Sequence, residues 1–268
     1  MYQSRFKQLY TVPYVAWILL FVIIPIILVG YYSFTDYEGH FTLVHYANFF
    51  TSTYLTLALY SFFYAFIITV ITLLIAYPTA YILTKTKYKE LWLLFIIIPS
   101  WLNLLLKTYA FIGLLSKNGL VAAVIQPFGI EAPQLLFTSM SFILVAVYIF
   151  IPFMILPIFN AMNELNPTFI EAARDLGASR WTTFRKVVLP LTADGIKAGI
   201  QVTFIPALSL FMVTRLIAGN KVMTLGTAIE QQFLVTQNWG MGSAIAMFLI
   251  VTMFLVMKVT TTKEGGGR

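Results

Sequence analysis

The chain has no cysteine among its 268 residues. Disulfides, thiolate metal sites and cysteine nucleophiles are therefore excluded. Charge is scarce too: 10% of residues are Asp, Glu, Lys or Arg, where a water-soluble domain carries about 25%. Histidine occurs twice, as His40 and His45 in one loop, with only Asp36 and Glu38 nearby to complete a metal site. Solvated loop residues are the simpler reading of that pair. No Gly-x-x-x-x-Gly-Lys-Ser/Thr loop occurs, so the chain cannot itself cradle nucleotide phosphates. What is abundant is apolar surface. Hydrophobic residues make up 60% of the chain, which places it among integral membrane proteins.

Six apolar segments are long enough to cross about 30 Å of hydrocarbon. They run over residues 13–32, 54–83, 91–115, 139–159, 195–217 and 241–259, in a single transmembrane domain (1–259) followed by a low-complexity tail, 260–268. The first is too long for a signal-peptide core and lacks a small-x-small cleavage site after it. The expected fold class is all-α and polytopic. Between spans, a short helix is expected after Asn118-Gly119, ended by Pro127 and Gly129, and another around Thr224–Phe233.

Basic residues set the orientation. With the N-terminus inside, the cytoplasmic side receives Arg5, Lys7, Lys85, Lys87, Lys89, Arg174, Arg180, Arg185, Lys186, Lys258, Lys263 and Arg268. The outer loops receive only Lys117 and Lys221. Both termini are therefore expected in the cytoplasm, and the net charge of +7 is a matter of topology, with no nucleic-acid partner implied. Lys107 and Arg215 fall within spans, roughly 24 and 30 Å from the inner ends at 1.5 Å per residue. Snorkelling to the outer interface is the favoured reading of both, with a functional intramembrane charge as the alternative.

The largest polar island runs from Asn160 to Asp194 and falls on the cytoplasmic side. Asn166-Pro167 is a helix start, since Asn can cap and Pro at the first helical position loses no hydrogen bond. The helix should carry Phe169, Ala172, Ala173 and Leu176 on one face and stop at Gly177. Ser179 should cap a second helix, Arg180 to Leu189, with Trp181, Phe184 and Val188 on one side and Pro190 ending it. An amphipathic loop lying on the bilayer is the plain alternative.

The spacing Glu171-Ala172-Ala173, three residues, Gly177, nine residues, Val187, one residue, Leu189-Pro190 resembles the EAA loop of permease subunits of ABC importers, with Val187 in place of the pattern's Ile. The resemblance implies the type I ABC importer permease fold and a bacterial inner-membrane location. It implies a second, similar permease subunit, two ATPase subunits that hold ATP-Mg, and a solute-binding protein. No cofactor is expected on this chain. In that family the loop is a coupling element docked on the ATPase, here Phe169, Glu171, Ala172, Ala173, Leu176, Gly177, Val187, Leu189 and Pro190.

Proline lies inside or at the edge of five of the six segments, and helix-kinking prolines free carbonyls toward a cavity. In the third, Pro99 is followed by Trp101, Asn103 and Tyr109, candidates for a substrate path. Interfacial anchoring of the aromatics and helix–helix bonding by Asn are the structural alternatives. Pro99-Ser100-Trp101-Leu102-Asn103 is similar to the third span of spermidine/putrescine permeases of the PotB type. Glu171–Ser179, Leu189–Thr192, Pro206–Leu208 and Gln232-Phe233 resemble that family as well. The resemblance implies polyamine substrates, which aromatics could hold by cation–π contact. No carboxylate lies deep in a span; Glu230, near the outer mouth, is the one local acidic candidate, with a solvated loop residue as its alternative. The rival classes are an ion-coupled secondary transporter or channel, and a membrane scaffold.

Overall fold

The computed structural model describes residues 11–128, 134–219 and 221–260. The basic residues Arg5, Lys7, Lys263 and Arg268, the tail and Gly129 lie outside them. Among the described residues the secondary structure is helical, apart from one isolated bridge between Thr35 and Phe41. Five helices are long and apolar enough to span a membrane: Thr11–Ser33 (α1), Ser52–Leu83 (α3), Leu104–Ile125, Ser139–Asn163 (α7) and Trp239–Thr260 (α13). A bent pair, Ala193–Leu208 (α10) and Phe211–Ile217 (α11), makes a sixth if counted as one span. Short elements complete the chain: Val44–Phe49 (α2), Lys89–Ile97 (α4), Leu104–Leu115 (α5), Leu120–Ile125 (α6), Pro167–Asp175 (α8), the Arg180–Thr183, Phe184–Val188 and Leu189–Leu191 turns (together α9), and Leu225–Glu230 (α12).

The chain divides into two compact units. The first comprises residues 1–56 and 228–252. The α1 helix is apolar all round, with none of its spanning window buried, as suits a helix facing lipid. The ring of Phe49 lies 4.6 Å from that of Phe248, and Tyr32 packs on Trp239 at 6.0 Å. The Nε2 of His45 lies 3.1 Å from the Thr35 carbonyl, and since a carbonyl only accepts, Nε2 carries the proton. A Cβ on Gly240 would sit 2.1 Å from that same nitrogen, so the imidazole occupies the space the glycine leaves.

The second unit comprises residues 57–227 and 253–268. Its core joins Ala76, Tyr77, Ala80 and Leu83 of α3 to Met154, Ile155, Ile158, Phe159 and Met162 of α7. The small residues on α3 let the larger side chains of α7 approach the backbone. On another side α10 lies against α7 through Gly195 and Gly199. A Cβ would meet Ala161 Cβ at 2.6 Å from Gly195 and Met154 Sδ at 2.6 Å from Gly199. Small residues four apart on one helix face are what close helix packing in a membrane requires.

Two of the proline-containing spans are broken into separate helices rather than merely kinked. The segment 91–115 is α4, a 3-10 turn from Ile98 to Trp101, and then α5. The Leu102 backbone is extended there, and Pro99 cannot donate into a continuing helix. The fifth span breaks at Ser209-Leu210, with a 59° bend. Here the Ser209 N–H donates to the Pro206 carbonyl at 3.1 Å, tightening the last turn, and a Cβ on Gly226 would lie 2.3 Å from the Ser209 carbonyl oxygen. The α12 helix can start against this break only because residue 226 has no side chain.

Candidate functional site

The polar island folds as a pair of short helices. Asn166 caps α8, its Oδ1 accepting from the Thr168 N–H at 3.0 Å, with Pro167 in the first turn. The helix ends in a Schellman motif. The Ala178 N–H donates to the Ala173 carbonyl at 3.0 Å and the Gly177 N–H to the Arg174 carbonyl at 2.8 Å. Gly177 has φ +77°, with nothing within 4 Å of where a Cβ would stand, so backbone conformation rather than crowding calls for glycine. Ser179 caps α9, its Oγ accepting from the Thr182 N–H at 3.2 Å.

The α9 helix does not stop at Pro190 but runs to Leu191. A π turn over Phe184–Val188, in which the Leu189 N–H donates to the Phe184 carbonyl, sets Pro190 in the first turn of a new helical segment, where its missing donor matters little. The pair is seated on α3 by one ring. Phe184 meets Tyr77 edge-on at 5.8 Å and Tyr81 at 6.1 Å, and Trp181 stacks on its other side at 5.5 Å. Val188 is buried, and Thr192 Oγ1 and the Tyr77 hydroxyl are hydrogen-bonded at 3.1 Å.

The opposite surface is open. Leu176 is 88% and Phe169 54% exposed, and Glu171, Ala172, Leu189 and Pro190 are exposed with them. Ala173 and Val187 are half-buried. Beside the pair lies a cavity of about 760 Å³ whose lining includes Lys85, Lys89, Arg174 and Arg180 and, among the described residues, no carboxylate. Lys89 donates to the Asn163 side chain and Lys85 to the Tyr81 hydroxyl, which ties the basic loop after α3 to its neighbours.

The break in the third span places the proposed path residues. Trp101 is 77% and Tyr109 58% exposed; neither is packed on another aromatic ring among the described residues. Asn103 caps α5, its Oδ1 accepting from the Leu105 N–H at 2.8 Å, so the helix start accounts for this residue. Glu230 is half-buried at the end of α12, where the chain enters a π turn over Gln231–Val235.

Lys107 corrects the snorkelling expectation. It is 7% exposed, and its ammonium turns back toward the break, 3.4 Å from the Ser100 carbonyl. The break leaves that carbonyl outside a regular helix ladder, and the lysine supplies a donor. A cavity of about 210 Å³ adjoins it, lined by Pro99, Ser100, Tyr148, Ile149 and Pro152 among others. Arg215, by contrast, is exposed on α11.

Sequence reasoning missed the packing of Gly195 and Gly199 against α7, though Gly-x-x-x-Gly at the head of an apolar segment was a readable signal. It missed the seat for Phe184 as well, since the Tyr77 and Tyr81 that form it are about a hundred residues away in sequence.

Comparison with known proteins covers nearly the whole chain. Residues 71–261 match the family model described as "Binding-protein-dependent transport system inner membrane component". The chain is 36% identical over 266 residues to the spermidine/putrescine transport system permease protein PotB of Haemophilus influenzae, covering 96% of this chain and 93% of that protein. It is 34% identical over 258 residues to the PotB of Escherichia coli, covering 92% and 94%. Its fold superimposes with a TM-score of 0.80, at 16% identity and over 96% of this chain and 93% of the other, on a chain of a bacterial alginate ABC transporter crystallised with an alginate pentasaccharide-bound periplasmic protein. The chain belongs to the family of inner membrane components of binding-protein-dependent transport systems, as a multi-pass permease subunit of an ABC importer.

Proposed function

We propose that this permease admits polyamines, spermidine or putrescine, to the cytoplasm. The observation that carries the proposal is end-to-end similarity at 34–36% identity to permeases named for spermidine and putrescine transport. The chain works beside a second homologous permease subunit, with two ATPase subunits that bind ATP-Mg and a solute-binding protein that delivers the substrate. It binds no cofactor of its own, and ATP is hydrolysed on the partner. Both termini face the cytoplasm, consistent with the distribution of Lys and Arg.

In this reading the face formed by Phe169, Glu171, Ala172, Ala173 and Leu176, with Gly177, Val187, Leu189 and Pro190 behind it, docks on the ATPase. The exposure of apolar Leu176 and Phe169 beside charged Glu171 supports this, because an isolated apolar ridge on a short polar helix favours a partner groove. Trp101, Asn103, Tyr109 and Glu230 line or border the substrate path. Nucleotide-driven movement passes from the docked pair through Phe184 into α3, and from Thr192 through its bond to Tyr77.

The test is uptake of labelled spermidine into vesicles carrying the full complex, with sugars, amino acids and oxyanions as competitors. ATP-driven, binding-protein-dependent uptake that only polyamines inhibit is the expected result. Uptake that persists without ATP and stops when the proton gradient is dissipated would assign an ion-coupled carrier instead. Efficient competition by a sugar or an oxyanion would overturn the polyamine assignment alone.

A further inference from the structure

In the first unit a cavity of about 250 Å³ is lined by Tyr32, Thr35, Asp36, Tyr37, His45, Trp239 and Gly240. Three of these side chains are electron-rich aromatics, and one is a carboxylate. Tyr32 and Trp239 are held together at 6.0 Å, and Trp239 is backed edge-on by Phe233 at 5.4 Å. Tyr37 is 80% exposed at the rim.

The loop that carries Asp36 is locally fixed. Its Oδ1 accepts from the N–H groups of Glu38 and His40, each at 2.9 Å, and a bridge joins Thr35 to Phe41. Gly39, at φ +84°, closes the turn. The other carboxylate oxygen has His40 Nδ1 3.8 Å away. The backbone donors hold the Asp36 carboxyl below its ordinary range, so it stays charged.

A second observation is independent of the cavity. From Thr11 to Thr56 and from Ala228 to Thr252 there is no lysine or arginine, while Asp36 lines the cavity. No lysine or arginine of these segments competes for the cavity. Aromatic faces with one carboxylate and no cation make an environment suited to an ammonium group.

We infer that this cavity is a seat for one ammonium group of an amine cation, separate from the path residues Trp101, Asn103 and Tyr109. A single carboxylate matches a single positive end, leaving the rest of an extended polyamine outside. The inference rests on the polyamine reading for the identity of its natural ligand, but the seat itself rests on the aromatic rings and Asp36.

The test is equilibrium binding of labelled spermidine to the complete transporter in nanodiscs, without binding protein. Asp36→Asn keeps an oxygen for the two backbone donors and removes only the charge; Tyr37→Leu removes a rim aromatic that is exposed. Each should weaken one saturable component by about five- to tenfold, while Glu38→Gln, outside the cavity, leaves it within about twofold. Wild-type affinity in both Asp36→Asn and Tyr37→Leu, an equal loss in Glu38→Gln, or no saturable binding to the wild type would overturn the seat. ATP-driven uptake is measured on the same preparations with binding protein added. Absence of spermidine uptake by the wild type refutes the polyamine reading, whatever the binding result.

Discussion

Gly177 holds the turn between α8 and α9 in a left-handed backbone conformation. Its φ of +77° costs a non-glycine residue about 1–2 kcal/mol, and Asn tolerates that region better than Ala. Gly177→Ala should therefore reduce vesicle uptake severalfold without loss of protein from the membrane, and Gly177→Asn should recover much of it. Equal uptake by the wild type and Gly177→Ala would show that the turn does not matter to coupling. Asp36 gives a pH dependence at the same scale. Because its folded pKa is depressed, the order it confers on the loop is fully present above the ordinary carboxylate pKa and is lost as pH falls through the lower, folded value. A spin label at Thr42 should stay immobilised at neutral pH and loosen only below about pH 4; loosening well above that range would show that Asp36 does not hold the loop. Much at this scale was legible in sequence, because caps and turn glycines act over three or four residues. Asn166, Gly177 and Ser179 do what local chemistry dictates. Lys107 was misjudged because its partner, the Ser100 carbonyl, becomes available only where the helix breaks.

At the scale of elements, an aromatic seat ties the helix pair to α3 beside the Thr192–Tyr77 hydrogen bond. Phe184 touches Tyr77 and Tyr81 of α3 edge-on, contacts worth about 0.5–1.5 kcal/mol each beyond burial. Phe184→Ala should leave the pair helical but loosely attached. ATP hydrolysis by the assembled complex should continue while uptake falls about tenfold, equivalent to roughly 1.4 kcal/mol. A parallel fall in both activities would instead indicate failed assembly. Apolar length and proline position marked out most of the elements. The exact breaks were hidden, because a proline permits a kink without fixing it. The fifth span yields three residues after Pro206, at Ser209-Leu210, where the backbone at Gly226 approaches. Likewise Pro190 does not end α9, since the π turn before it accommodates the missing donor.

For the molecule as a whole, composition placed the chain among integral membrane proteins, and apolar segments with the polar island gave the architecture. The substrate is legible only through relatives, because the proposed path residues Trp101 and Tyr109 are exposed in this chain and their exposure names no ligand. The central claim is that the exposed face of α8 receives force from an ATPase. Because the chain has no cysteine, a single one at Ala172 reports without background. In the assembled complex a cysteine there should form a disulfide with one placed in the ATPase surface groove, and the cross-link should stop spermidine uptake until it is reduced. Reaction of that cysteine only with reagents added from outside the cell, or full uptake with the cross-link absent at every groove position, would contradict the account.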